Sequence, residues 1–280
     1  MREQNRNLAV RVVTALVLFP FAVWMTWLGG LPFALLIGVA AALSAGELVW
    51  MFEKRLPPTG WLGVLGAAAC PIGAWLWPQG GRVFQDWAGV LAAGMVVALL
   101  ASAMLQRGPI EQAPRSAGLG ALAWGYAGLL PAAVVALRVR EDAGWQWVVL
   151  LFVVTWANDT LAYFTGRFLG KRPLAPRISP KKTWEGFAGG AAGSIAGALV
   201  TRALLPDDLG RLSTAAIIAI GAGGAVLGPL GDLCESMFKR AAGVKDSGWI
   251  IPGHGGLLDR IDALLFVAPW IYVWAAYGVG

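Results

Sequence analysis

The sequence predicts an all-α, polytopic integral membrane protein of about nine transmembrane helices. Three observations predict it. Long continuous apolar runs recur along all 280 residues, and 58% of the chain is hydrophobic. Asp, Glu, Lys and Arg make up only 14%, against roughly 25% in ordinary soluble domains, and the mean hydropathy is +0.65. The cations that remain concentrate in alternate connections between the runs. A transmembrane β-barrel would need short segments of alternating polarity, and these runs are unbroken.

A span needs about 20 apolar residues. The runs place nine, at roughly 10–28, 31–50, 61–77, 87–105, 117–137, 145–164, 184–205, 212–231 and 257–277. The first lacks a small-x-small exit and leads into further runs, so it reads as a span and not as a cleaved leader. The third contains Pro71 and the fifth contains Pro131, which predicts a kink. The glycines of the seventh and eighth (Gly189, Gly190, Gly193; Gly221, Gly223, Gly224) suit close helix packing. The 15 tryptophans suit interfacial belts. Glu47 lies inside the second span, where a polar partner in the C-terminal bundle explains it better than a proton path.

Charge sets the orientation. With the N-terminus in the cytoplasm, only Arg82, Arg138, Arg140, Arg202 and Arg211 fall on the far side; the other seventeen of the 22 cations fall inside. The net charge of +6 is therefore a topological signal, and no nucleic-acid partner is expected. Cys70 and Cys234 are the only cysteines and His254 the only histidine, with no CxxC pair, so neither a disulfide framework nor a zinc site is expected. Residues 1–140 read as scaffold helices and 141–280 as the region that carries the chemistry.

Three polar clusters interrupt that region, all predicted on the cytoplasmic face. The first is Asn158, Asp159, Thr160 and Tyr163 at the end of the sixth span, either a hydrated helix end or the polar wall of a cavity. The second is RISPKKTWEG, Arg177 to Gly186. There Thr183 is placed to cap the seventh span, with Glu185 in its first turn. Ser179, Lys181 and Lys182 sit just outside a helix N-terminus, which suits an anion or an anionic lipid head group. The third runs from Gly228 to Asp262. Asp232 and Glu235 share a helix face, and Asp259 and Asp262 repeat that spacing. Paired carboxylates suit a hard cation such as Mg²⁺. The glycine turn at 253, 255 and 256 could bring backbone N–H groups to a phosphate, and Lys239, Arg240, Lys245 and Arg260 could neutralise a polyphosphate. No Walker or Rossmann spacing occurs.

The stretch SMFKRAAGVKDSGWIIPGHGGLLDRID, residues 236–262, resembles the signature of the phosphatidate cytidylyltransferases, or CDP-diglyceride synthases. SPKKTWEG at 179–186 and NDTLAYFTGR at 158–167 are also similar to that family. Residues before 158 resemble it only in being hydrophobic. The resemblance implies transfer of CMP from CTP to phosphatidic acid, giving CDP-diacylglycerol and pyrophosphate. It also implies Mg²⁺, with K⁺ as a second cation in some members, and a homodimer in the membrane. The expected location is a bacterial inner membrane, with the active site facing the cytoplasm.

The phosphate of phosphatidate is itself the nucleophile, so no protein nucleophile is needed. The difficulty is repulsion between anions, and catalysis rests on positioning and charge neutralisation. On this basis Asp232 and Asp259 are expected to hold Mg²⁺. Asp262 and Asp246 would serve a second cation or orient basic groups. Lys239, Arg240 and Lys245 are expected on the triphosphate. Ser179, Lys181 and Lys182 are expected on phosphatidate or the α-phosphate. Asn158, Asp159, Gly255 and Gly256 would line the substrate site. Arg260 would bind substrate or steady the acids, and His254 would donate a hydrogen bond in preference to acting as a base. A transporter with intramembrane acids is the main competing class, but it predicts matched polar breaks in both halves, and the first half has none. The DGxxAR pattern of CDP-alcohol phosphotransferases is absent.

Overall fold

In the computed structural model of the protein, residues 14, 16, 20–77, 82–140, 143–251 and 255–278 are described, side chains excepted over 82–88. After a helical stretch at 20–28 come α1 (Gly30–Glu53), α2 (Pro58–Leu76), α3 (Arg82–Leu105), a 3-10 turn (Ile110–Gln112), α4 (Ala113–Trp124), a π-turn (Gly125–Leu129) and α5 (Leu130–Arg138). Then follow α6 (Gly144–Leu169), β1 (Pro173–Ala175), β2 (Ser179–Thr183), α7 (Trp184–Leu204), the short α8 (Pro206–Leu209), α9 (Thr214–Ala241) and α10 (Leu258–Tyr277).

Among the described residues, six helical segments are long and apolar enough to cross a membrane: α1, α2, the continuous Ile110–Arg138, α6, α7 and α9. The apolar part of α3, Gly89–Leu105, is shorter. Helix α10 begins with Asp259, Arg260 and Asp262 and is not one of the six. Residues 10–13, 15 and 17–19 of the first expected span lie outside the described residues. The class is that of a helical, polytopic integral membrane protein.

Several boundaries differ from the sequence expectation. Helix α6 runs to Leu169, so Asn158 and Asp159 sit inside it and do not end it. Helix α9 continues to Ala241, ten residues past the expected end of that span. Its polar continuation is held by an i,i+4 ion pair, Lys239 Nζ to Glu235 Oε2 at 2.6 Å. The deformation expected at Pro131 takes the form of a π-turn over the five residues Gly125–Leu129 just before it; proline removes an N–H and crowds the preceding turn.

A correction to the all-α reading is a two-stranded antiparallel hairpin, β1 with β2, in register Pro173↔Thr183 and Ala175↔Ser179. It occupies most of what reads as a loop in the sequence. Pro180 is tolerated because β2 has only one pairing edge.

The chain divides into two compact units. The first comprises residues 1–139 with 244–260, and the second comprises 140–243 with 261–280. In the first, Phe33, Leu48, Leu99 and Leu137 are fully buried. A buried polar knot, Thr59 Oγ1 to Ser116 Oγ at 2.7 Å with Gln106 Nε2 donating to Thr59 Oγ1 at 2.9 Å, ties α2 to α4. Segment 244–260, which carries much of the third polar cluster, belongs to the first unit. In the second unit, α6, α7 and α9 pack around Trp147, Leu150, Leu151, Ile217 and Ile220. Helix α7 comes so near α6 that a Cβ on Gly193 would lie 2.6 Å from the Ala157 carbonyl oxygen. Trp270 Nε1 of α10 donates to the Ile220 carbonyl of α9 at 3.1 Å.

Candidate active site

The second unit brings residues of all three sequence clusters together. Thr183 caps α7, its Oγ1 accepting from Gly186 N at 3.1 Å. Glu185 Oε2 accepts from the Lys171 and Arg172 amides at 3.0 and 3.2 Å, which ties the start of the hairpin to the same turn. Side chains alternate along a strand, and β2 leaves Lys181 exposed while Lys182 is half-buried. Lys182 Nζ meets Asp232 Oδ2 of α9 at 2.8 Å and also donates to the Pro229 carbonyl at 3.3 Å. Ser236 Oγ donates to the other oxygen of Asp232 at 3.2 Å. The carboxylates of Asp159, Asp232 and Asp262 lie close enough to repel one another, and Asp262 Oδ1 accepts from Ala263 N at 2.8 Å.

Around this centre, Lys239 is held by the fully buried Glu235. The Arg240 guanidinium reaches the Ile178 carbonyl beside β2, Nε to O 3.5 Å. Ser179 opens β2. Asn158 is buried, 1% exposed, beside Asp159.

The first unit holds the other part. Segment 244–260 carries Lys245 and Asp246, both exposed, then Gly255, Gly256, Asp259 and the exposed Arg260. Ile251 N donates to the Gly255 carbonyl at 3.0 Å and closes a turn. Gly255 has φ +86°, in the region that favours glycine. A Cβ on Gly256 would collide with Ser247 Oγ and Glu47 Oε2. Asp259 Oδ2 accepts from Ser247 N at 2.8 Å and Gly256 N at 2.9 Å, and it lies 2.9 Å from Ser247 Oγ, whose single proton it shares with Glu47 Oε2. His254, with Pro252 and Gly253, lies outside the described residues.

Two residues were not assigned a part in this site from the sequence. Ser247 is one, and its only sequence signal is its place inside the 236–262 signature. Glu47 is the other, singled out only as a buried acid in need of a partner. Its partners are on the third cluster: Oε1 accepts from Leu257 N at 2.9 Å, and Oε2 accepts from Leu258 N at 2.9 Å and Ser247 Oγ at 3.0 Å.

Among the described residues, no three His, Cys, Asp or Glu side chains converge to hold a metal ion. The donor chemistry nonetheless suits one. The carboxylates of Asp159, Asp232 and Asp262 and the Asn158 amide are hard oxygen donors of the kind Mg²⁺ and K⁺ take. The Lys182 ammonium sits on Asp232 in this arrangement.

Fold and site together define a polytopic membrane protein in which lysines pair with carboxylates, Lys182 with Asp232 and Lys239 with Glu235. The chain belongs to the cytidylyltransferase family, whose profile matches residues 9–277. It is 37% identical over 276 residues to a phosphatidate cytidylyltransferase of Brucella abortus, covering 96% of this chain and 94% of that one. It is 35% identical over 266 residues to the Bacillus subtilis protein of the same name, covering 94% and 95%. To that of Thermotoga maritima it is 32% identical over 271 residues, covering 95% and 96%.

Proposed function

We propose that this protein is a CTP:phosphatidate cytidylyltransferase that makes CDP-diacylglycerol. A phosphate oxygen of phosphatidate attacks the α-phosphorus of CTP. The new P–O bond forms as the bond to the bridging α,β oxygen breaks, and pyrophosphate leaves. The observation that carries this reading is the 2.8 Å Lys182–Asp232 pair. It joins two motifs far apart in the chain, in a member of the cytidylyltransferase family.

The chain's residues supply position and charge. Lys182, with Ser179 and Lys181, faces the phosphate of phosphatidate or the α-phosphate. Lys239, Arg240 and Lys245 take the β and γ phosphates and the leaving pyrophosphate. Asn158, Asp159 and the Gly255–Gly256 backbone line the pocket. Asp246 serves a second cation or orients basic side chains, Arg260 binds substrate or steadies the acids, and His254 donates a hydrogen bond. Asp232, Asp259 and Asp262 would hold Mg²⁺, with K⁺ as a second cation in the same acidic surroundings; a bound cation would supply further charge neutralisation. Because phosphatidate is already ionised near neutral pH, no protein base is required.

The topology proposed with this chemistry has nine spans and a cytoplasmic N-terminus in a bacterial inner membrane, working as a homodimer. CTP then reaches the site from the cytoplasm while the acyl chains stay in the bilayer. The test is pyrophosphate release by purified protein given CTP, phosphatidate and Mg²⁺, with each omitted in turn. Release that needs all three, with a CDP-lipid product, supports the reading. Folded protein that releases none in detergent and in lipid overturns it.

A further inference from the structure

We infer that Glu47 is a positioning residue for this reaction, and that it sets the glycine turn and Asp259 through Ser247. The inference rests on the proposed role of Asp259 in holding a divalent cation.

The geometry is a single connected network within the first unit. Leu257 N and Leu258 N lie at the start of α10, where amides have no partner inside the helix. Glu47, about 210 residues earlier in the chain, accepts from both, one on each carboxylate oxygen. A negative charge at a helix N-terminus is also favoured by the helix dipole. On the same side, Ser247 Oγ is 3.0 Å from Glu47 Oε2 and 2.9 Å from Asp259 Oδ2. Ser247 N and Gly256 N complete the Asp259 contacts at 2.8 and 2.9 Å. Glu47 is 6% exposed and Ser247 4%, so water does not substitute for either. Gly256 and Gly248 admit the carboxylate: a Cβ on Gly256 or Gly248 would lie 2.5 or 2.6 Å from a Glu47 oxygen.

Every bond that Glu47 makes goes to the segment carrying the signature, and one of its donors also serves Asp259. The function that follows is to hold the direction of the Asp259 carboxylate and the shape of the 255–257 backbone before any ligand arrives. Preorganisation of this kind is what a reaction limited by anion repulsion needs. Groups that orient a metal-binding carboxylate typically account for ~10–100-fold in metal affinity or activity.

The experiment compares Glu47→Gln, Ser247→Ala and Asp259→Asn in the full-length protein in lipid nanodiscs. Glutamine keeps the shape but turns an N–H₂ toward a backbone N–H, breaking one of the two bonds to α10. Three readouts are taken: Mn²⁺ binding by electron paramagnetic resonance without substrate, hydrogen exchange at amides 255–259, and the Mg²⁺ activation curve with kcat at saturation. In Glu47→Gln we expect faster exchange at those amides, Mn²⁺ binding weakened ~10-fold or more, and half-activating Mg²⁺ raised to match. Ser247→Ala, which removes only the shared hydroxyl, should shift the same three readouts less.

A Glu47→Gln protein with wild-type Mn²⁺ binding and Mg²⁺ activation overturns the inference, even if its Tm falls, because a purely structural role moves only the Tm. If Glu47→Gln does not fold, Ser247→Ala decides: wild-type values there overturn the inference. The parent reading fails separately. Asp259→Asn that binds Mn²⁺ and turns over like the wild type would remove Asp259 from cation binding, whatever Glu47→Gln does to the turn.

Discussion

Replacing Lys182 with methionine removes the ammonium that joins β2 to α9 while keeping most of the side chain's bulk. Two unit charges at the observed 2.8 Å would attract by about 6 kcal/mol at an effective dielectric of about 20. Little of that reaches the folded-state stability. The Asp232 side chain is 41% exposed and that of Lys182 24%, and such partly solvated pairs contribute about 0.2–1 kcal/mol in double-mutant cycles. The loss of unfolding free energy should therefore stay under about 1 kcal/mol. The loss of activity should be far larger. If Lys182 stabilises charge on the phosphates in the transition state, removing one such group costs about 100- to 1000-fold in kcat. The assay is pyrophosphate release at saturating CTP and phosphatidate, run beside thermal unfolding of the same preparation. Lys182→Arg should recover part of the rate, since it keeps the charge but changes the geometry. A Lys182→Met protein that unfolds earlier yet turns over within about threefold of the wild type would refute the reasoning; the pair would then be a tether between hairpin and helix.

Three further outcomes follow from the same geometry. Asp259→Asn can turn its Oδ1 toward Ser247 N, Ser247 Oγ and Gly256 N, so it should stay folded and lose turnover; wild-type turnover would remove Asp259 from the reaction. Gly256→Ala should lower both Tm and kcat, because its Cβ would collide with Ser247 Oγ and Glu47 Oε2; an unchanged Tm would show that the turn can move aside. Thr183→Ala removes the cap on α7 and should reduce stability by about 1 kcal/mol, measured by chemical denaturation; a change beyond about 2 kcal/mol would mean that the cap also holds the hairpin together.

The helical class was legible because its signals are local and redundant. Apolar runs, the scarcity of charge and the loop-by-loop bias of Lys and Arg do not depend on tertiary partners. The Thr183 cap was legible for the same reason: Thr183 and Glu185 lie within three residues of Gly186, whose amide Thr183 accepts. What stayed hidden depended on partners remote in the chain. SPKKT reads as a polar loop because its strand character comes from pairing with Pro173–Ala175, and β propensity expresses the surroundings more than the residue. The helical end of α9 reads as loop because its polar turns look like solvent-exposed coil until Glu235 and Lys239 are seen to pair. Segment 244–260 reads as part of the C-terminal half by position alone, whereas its buried contacts run to Glu47. Beyond its place inside the 236–262 signature Ser247 gave no signal, because a serine beside a glycine is common in turns. Only the coordinates show that its hydroxyl stands between two carboxylates.

The pairing of charges bears on how a cluster of this kind sits beside membrane helices. A lysine flanked by helices that cross a bilayer is expensive to leave unpaired. Here Lys182 rests on Asp232 and Lys239 on Glu235, so each ammonium is held in place. Under the proposed function a triphosphate would compete with carboxylates for those ammonium groups, bringing more negative charge and more acceptor oxygens than one carboxylate. An acid released from its lysine is then an unpaired anion beside two others, since Asp159, Asp232 and Asp262 already repel one another. That arrangement favours arrival of a cation together with the polyphosphate over arrival of either alone. In sequence, acids and bases alternate from Asp232 and Glu235 through Lys239, Arg240, Lys245 and Asp246 to Asp259, Arg260 and Asp262. A purely anion-binding surface would carry the cations without the acids, and a purely metal-binding one the reverse.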